Sequence, residues 1–119
     1  MNNKEIEEIS ITAVIRYEKE KGRLASRVSG QGYDLISRNN EEKRHIEVKE
    51  TTKEKLTQRW LEEREYKTMK EDRHFYLYAV TGVDSHPRVY EFTKQQMIER
   101  FKKEEIKYMF EFKKNDFKK

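Results

Sequence analysis

Residues 74–83 read HFYLYAVTGV, an almost unbroken apolar and aromatic run. A strand of that composition has little polar surface to show to water. It predicts a position inside a sheet, with other layers covering both of its faces. The rest of the 119 residues must supply the neighbours and layers that cover it.

The segment before it provides a helix and a hairpin. From Lys4 to Lys21 the residues Ile6, Ile9, Ala13 and Tyr17 recur at helical spacing, and Gly22 is placed to end the helix. Ile11, Val14 and Ile15 widen the apolar surface beyond one stripe, so this helix is expected to be covered on more than one side. Residues 23–32 contain Ser26, Ser29, Gly30 and Gly32 and read as a loop. Residues 33–37 and 44–50 then read as two strands of a β-hairpin. Thr51 to Lys55 is a polar linker, and Leu56 to Lys70 reads as a helix burying Leu56, Trp60, Leu61 and Tyr66. After the long strand come a turn at residues 84–88, a strand at 89–92, and a helix from an N-cap at Thr93 through Phe101. Residues 106–112 fit a strand or a helix equally. The order predicts one α/β domain over residues 1–119, with a mixed sheet of four to five strands flanked by helices.

Composition narrows the chemistry. The chain has no Cys, which removes disulfides, zinc–thiolate sites and thiol nucleophiles and suits a reducing cytoplasm. No apolar run is long enough to cross a membrane, so a soluble cytoplasmic protein is expected. Charged residues are 42% of the chain, and the net charge of +4 suits an anionic partner such as nucleic acid without requiring one. Aromatic residues at 12% and a single Pro argue against disorder. Abundant Lys and Glu without Cys is also a thermophile pattern.

Most charges on such a chain are solvated; one set is patterned for chemistry. In the second hairpin strand Ile46 and Val48 point to one face, and Glu47 and Lys49 to the other. Asp34 begins the preceding strand. Paired strands would bring both carboxylates and the ammonium to one patch. Asp34, Glu47 and the Val48 carbonyl form a hard oxygen site for Mg²⁺ (or Mn²⁺), which polarises a phosphodiester and activates a bound water. Lys49 would orient that water, help deprotonate it, or stabilise the transition-state charge. The same I-E-V-K alternation also suits any half-exposed strand whose Glu and Lys face water.

The pattern GYD (residues 32–34) followed by IEVK (residues 46–49) resembles the PD-(D/E)XK nuclease signature. More specifically, AVIRYEKEKGR, RVSGQGYDLIS, RHIEVKET, LTQRWLEEREY and FYLYAVTGV resemble, in order, the domain family at the C-terminus of the plant protein NO VEIN, which also follows many prokaryotic helicases. The resemblance implies a restriction endonuclease-like fold with Asp34, Glu47 and Lys49 as the motif residues. Tyr33 stands where the motif has Pro. It also implies a metal-binding Glu from the first helix: Glu18 is the candidate and Glu5 a weaker one, against a solvated surface role for both.

Lys53, Lys55 and Arg59 are candidate phosphate contacts; Arg59 could instead pair with Glu63 one helical turn on, and Trp60 reads as core. Gln58 has only its position in favour of substrate contact. His45, His74 and His86 are too scattered for a metal triad, and His45 reads as structural. The aromatics Phe75, Tyr76 and Tyr78 read as buried strand before base-stacking platform. The KKNDFKK terminus reads as a solvated tail. The leading expectation is a metal-dependent DNA endonuclease, with DNA ahead of RNA as substrate. An inactive DNA- or helicase-docking module on the same fold is the alternative, and a structural homodimer the third.

Overall fold

A computed structural model describes residues 1–104 and 107–118, with side chains described except at residue 60 and residues 101–109. Helix α1 (Asn3–Glu20) leads into strands β1 (Leu24–Arg27), β2 (Leu35–Arg38) and β3 (Lys43–Glu50). Then follow β4 (Gln58–Leu61), α2 (Glu63–Glu71), β5 (Phe75–Thr81), β6 (Arg88–Thr93), α3 (Lys94–Arg100), β7 (Phe101–Glu104) and β8 (Lys107–Glu111). Five strands form a mixed sheet in the order β1-β2-β3-β5-β6, in which β3 and β5 run parallel and the other neighbours antiparallel. The expected α/β architecture is present.

The apolar run of β5 behaves as its composition requires. Tyr78 and Val80 pack with Leu35, Ile46, Val48 and Val89 beneath Ile11 and Val14 of α1. Phe75, Leu77 and Ala79 point the other way, into a cluster with Tyr90, Phe92, Met69, Met97, Leu56, Leu61, Phe110 and Phe112. Alternate residues of one strand thus fill two cores, which is why the run is almost entirely apolar and aromatic. Thr93 caps α3 as expected: its hydroxyl accepts from the Gln96 N–H at 3.1 Å, and Gln96 returns a bond to the Thr93 N–H at 2.8 Å.

Two expectations give way, and one open choice is decided. Residues 24–27 are the edge strand β1, not loop; Leu24 is 73% exposed, so the strand leaves almost no periodic burial to read. Residues 58–61 are strand β4, and the helix read from Leu56 starts only at Glu63. The spacing of Leu56, Trp60 and Leu61 mimics a helix, whereas β4 is held by pairing with β8, about 50 residues downstream. Residues 107–111 are strand β8, which joins β4 and β7 in a separate three-stranded sheet. The Trp60 side chain and Ile106 lie outside the described residues.

The clearest polar feature of the α1 side is a buried network. Gly22, at φ 81°, turns the chain back so that the Arg23 N–H reaches the Glu18 carbonyl at 2.8 Å. That return lets the Arg23 guanidinium grip both Glu18 carboxylate oxygens at 2.7 Å. The Tyr78 hydroxyl donates to Glu18 at 2.8 Å and accepts from Arg44 at 2.8 Å, while Arg44 also reaches Glu42 and Glu91. Burial alone would raise the Glu18 pKa; Arg23 and Tyr78 hold it below the ordinary carboxyl value. Arg23→Ala would strand a fully buried carboxylate. We expect a loss of about 3–5 kcal/mol in urea unfolding at neutral pH. An unchanged midpoint would show that the pair does not hold α1 to the sheet.

Candidate active site

The site begins where β2 ends. Leu35 pairs with Ile46, and Asp34 still donates its N–H to the Ile46 carbonyl at 2.8 Å. One step further along the same edge of β3 the next N–H belongs to Val48, beyond the end of the β2 pairing. The Asp34 side chain takes that place: its Oδ2 accepts from the Val48 N–H at 2.8 Å. The loop that delivers Asp34 needs Gly32, which has φ 83°. A Cβ there would lie 2.2 Å from the Thr68 hydroxyl of α2. Glycine lets this loop press against α2.

Glu47 and Lys49 project from β3 towards α2, on the face opposite Ile46 and Val48. There they meet Glu65, a residue that sequence reasoning did not single out. Lys49 Nζ lies 3.3 Å from a Glu47 oxygen and 3.1 and 3.4 Å from the two Glu65 oxygens. Glu65 is fixed from its own helix by the Glu62 N–H at 3.0 Å. Placing the start of the helix at Leu56 hides this role. Only a start at Glu63 makes Glu65 a first-turn residue whose carboxylate folds back on the N-terminus.

These carboxyls share too little water to ionise freely. Burial raises the Glu47 pKa well above its ordinary value, and a hydrogen bond with Glu65 and the Asp34 charge add to the shift. Glu65 is the ionised partner: that bond and Lys49 hold its pKa down despite burial. Burial also raises Asp34, against the opposing pull of the Val48 N–H and Lys49. Glu50, next along the strand, is raised by burial as well. Lys49 is raised, because Glu47 and Glu65 together outweigh the burial that would discharge it. It stands in the site as an ammonium.

The structure therefore brings Asp34, Glu47 and Lys49 together, with the Val48 backbone beside them. Glu18 is not with them. It is fully buried in the Arg23 pair on the α1 side of the sheet, so it is neither a solvated residue nor a member of this cluster. From the first helix, the exposed Glu7 is a minor contributor, through its charge, to the raised values of Asp34 and Glu50. Glu7 and Glu8 are tethered by Arg27 of β1 at 3.5 and 2.7 Å. At 1.5 Å per residue, Glu18 sits about 16 Å further along α1. Glu5 accepts no role here beyond its N–H bond to the Asn2 cap at 2.9 Å.

Arg59 lies on a strand, not a helix, so the expected pairing with Glu63 does not form. Its guanidinium donates to the Glu50 carbonyl at the end of β3. Lys53 and Lys55 are exposed on the loop that follows. His45 Nδ1 lies 2.5 Å from Asp72, and Tyr33 stacks on its ring at 4.3 Å between centroids, which fits a structural role. Among the described residues no three His, Cys, Asp or Glu side chains stand ready-made in metal-binding geometry. No described helix is long and apolar enough to cross a membrane.

Comparison with known proteins agrees with this architecture. The solved structure of Hjc, a Holliday junction resolvase from the archaeal hyperthermophile Archaeoglobus fulgidus, matches with a TM-score of 0.65 at 16% identity. The match covers 91% of this chain and 84% of that one, and it establishes the restriction endonuclease-like fold. No curated protein matches the sequence. The family described as Protein NO VEIN, C-terminal, matches residues 6–92, a span that contains every motif residue of the site. The chain belongs to this family of NO VEIN C-terminal domains.

Proposed function

We propose that this protein is a metal-dependent endonuclease that hydrolyses phosphodiester bonds in DNA, using Mg²⁺ or Mn²⁺. The observation that carries the reading is the gathering of Asp34, Glu47 and Lys49 at the open end of the β2–β3 pairing, with Glu47 buried and the other two partly so. Their donor set is hard oxygen: two carboxylates and the Val48 carbonyl, which shares an edge of β3 with the N–H bound to Asp34. A crowd of carboxyls with raised proton affinity is what a divalent cation would relieve. Those three groups would hold the ion. The ion, when bound, supplies a Lewis acid that polarises the phosphodiester and lowers the pKa of water.

The chain's own groups divide the remaining work. Glu47 must give up its proton and its bond to Glu65 before it can act as a ligand. Glu65 then keeps its charge on Lys49. Because Lys49 is held as an ammonium, its role is to stabilise negative charge on the reacting phosphate and to orient water, not to accept a proton. On this reading Arg59, Lys53 and Lys55, on the chain leaving β3, make sequence-independent contacts to the DNA backbone. Two catalytic centres are needed to cut both strands, which makes a homodimer the simplest form for duplex cleavage.

One observation favours a second reading. Glu47 and Lys49 are already engaged with Glu65, which is how a retained but idle site on a DNA- or partner-docking module would look.

Supercoiled plasmid with Mn²⁺ separates the two. The wild type is expected to nick and linearise it; Asp34→Ala and Glu47→Ala should abolish this, and Lys49→Ala should slow it on the order of 10²–10³-fold. Cleavage that persists in Asp34→Ala would sink the assignment.

The Glu47 proton gives a second measurement. A carboxyl whose pKa is higher folded than unfolded binds more protons in the native state, so stability falls as pH rises between the two values. Glu47→Gln removes that penalty. Without metal it should melt higher than wild type at pH 7, on the order of 5 °C, with the gain vanishing near pH 4. Mn²⁺ affinity of the wild type should rise with pH, since binding expels the proton. A variant less stable than wild type at pH 7 would mean that Glu47 is not a strained site residue.

A further inference from the structure

A pocket of about 280 Å³ lies at the carboxyl end of β5, on the same sheet face as Glu47 and Lys49. Its walls include Lys55, His86 and Arg88, and its floor includes Thr81, Tyr90 and Phe117. The face is fixed by register. Lys49 is level with Ala79, and Thr81 is the next residue on that side of β5. The end is fixed by the parallel pairing, because the chain leaving β3 crosses the end of β5, where the Gly82 N–H donates to the Lys53 carbonyl at 2.8 Å. Both the candidate active site and the pocket thus sit at the carboxyl ends of parallel strands, the place where open α/β sheets take their ligands.

The charges there are uncommitted. In a chain of 23 acidic residues, cations are commonly paired, as Arg23, Arg27, Arg44, Lys49 and Arg100 are. The cations Lys55 and Arg88 are exposed, with the His86 ring beside them, and neither cation engages in an ion pair among the described residues. One carboxylate, Glu54, also lines the pocket, so the local balance remains cationic. Part of the floor is aromatic: the Tyr90 and Phe117 rings meet edge to face at 4.9 Å. Convergent cations over an aromatic floor recognise a phosphate attached to a larger, partly apolar group.

We infer that this pocket is a second phosphate subsite for the substrate strand, gripping a backbone phosphate a few nucleotides from the one at Asp34 and Glu47. It rests on the endonuclease reading for the path of the strand, and on the pocket's own charges for the ligand. Strands in a sheet stand about 4.8 Å apart, so two to three strand spacings separate the sites by about 10–15 Å. Lys53 lies on the segment that leads from β3 to the pocket. Holding the strand at two points fixes its direction across the catalytic patch without reading any base.

The test is fluorescence anisotropy of a labelled DNA duplex with the full chain in EDTA, so that binding is read without cleavage. Lys55→Glu with Arg88→Glu is compared with Lys4→Glu and Lys19→Glu, an equal charge change on exposed residues of α1. The pocket pair should weaken binding about tenfold or more at 0.1 M salt and lower the slope of log affinity against log salt by about two. The α1 pair should do much less. Lys55→Gln with Arg88→Gln, a milder change, guards against misfolding and should show the same ranking, with melting temperatures unchanged. Equal losses from both pairs, no loss from the pocket pair, or a wild type that does not bind DNA would each overturn the subsite. Cleavage by the wild type in Mn²⁺, measured separately, reports on the nuclease reading alone. Tight, pocket-dependent binding without cleavage would sink that reading and leave the subsite standing.

Discussion

The hydrogen bond from the Val48 N–H to the Asp34 carboxylate is the contact around which the site is organised. A β-sheet normally satisfies each strand N–H with a carbonyl. Here the antiparallel ladder stops at Leu35 and Ile46, and a carboxylate continues it for one step. That exchange converts the end of a structural ladder into a place where an acidic oxygen, a main-chain edge and the next two side chains of β3 converge. The position of Asp34 is thereby tied to the register of the sheet, which the buried Ile46 and Val48 fix from the opposite face.

Two buried glutamates show how context sets the character of one side chain. Glu18 meets a bidentate guanidinium and a phenol, remains charged, and anchors α1 beside the sheet. Glu47 meets another carboxyl, a second acidic neighbour and one shared lysine, and its proton affinity rises. The first is satisfied within the fold; the second is not, and frustration of that kind gathers at functional sites because the fold tolerates it only where something else relieves it. Between them lies the sheet itself, so the satisfied glutamate lies on one face and the unsatisfied one on the other.

The second sheet adds a distinct layer. Strand β4 falls within the span matched by the family, whereas its partner β8 lies beyond residue 92. Phe110 and Phe112 from this later segment pack on Leu77, Ala79 and Phe92, closing the core on the side where Glu47 and Lys49 emerge. The C-terminal residues thus shape the surroundings of a site whose motif residues they do not contain, and Phe117 forms part of the floor of the neighbouring cationic pocket.

Much was legible from local pattern, because the physics involved is local. The apolar run of β5, the alternation of β3, the helical rhythm of α1, the Thr93 cap and the grouping of Asp34, Glu47 and Lys49 depend on neighbours within a few residues or across one hairpin. The parts that escaped depend on partners distant in sequence. Residues 58–61 are a strand because they pair with residues 108–111, and residues 24–27 because they add an edge to β2. Glu65 joins the site because α2 packs across β3, and Glu18 leaves it because the turn at Gly22 offers it Arg23. Sequence by itself determined which side chains could do chemistry; tertiary packing decided which carboxylates meet, since a charge takes its role from the groups that folding sets beside it.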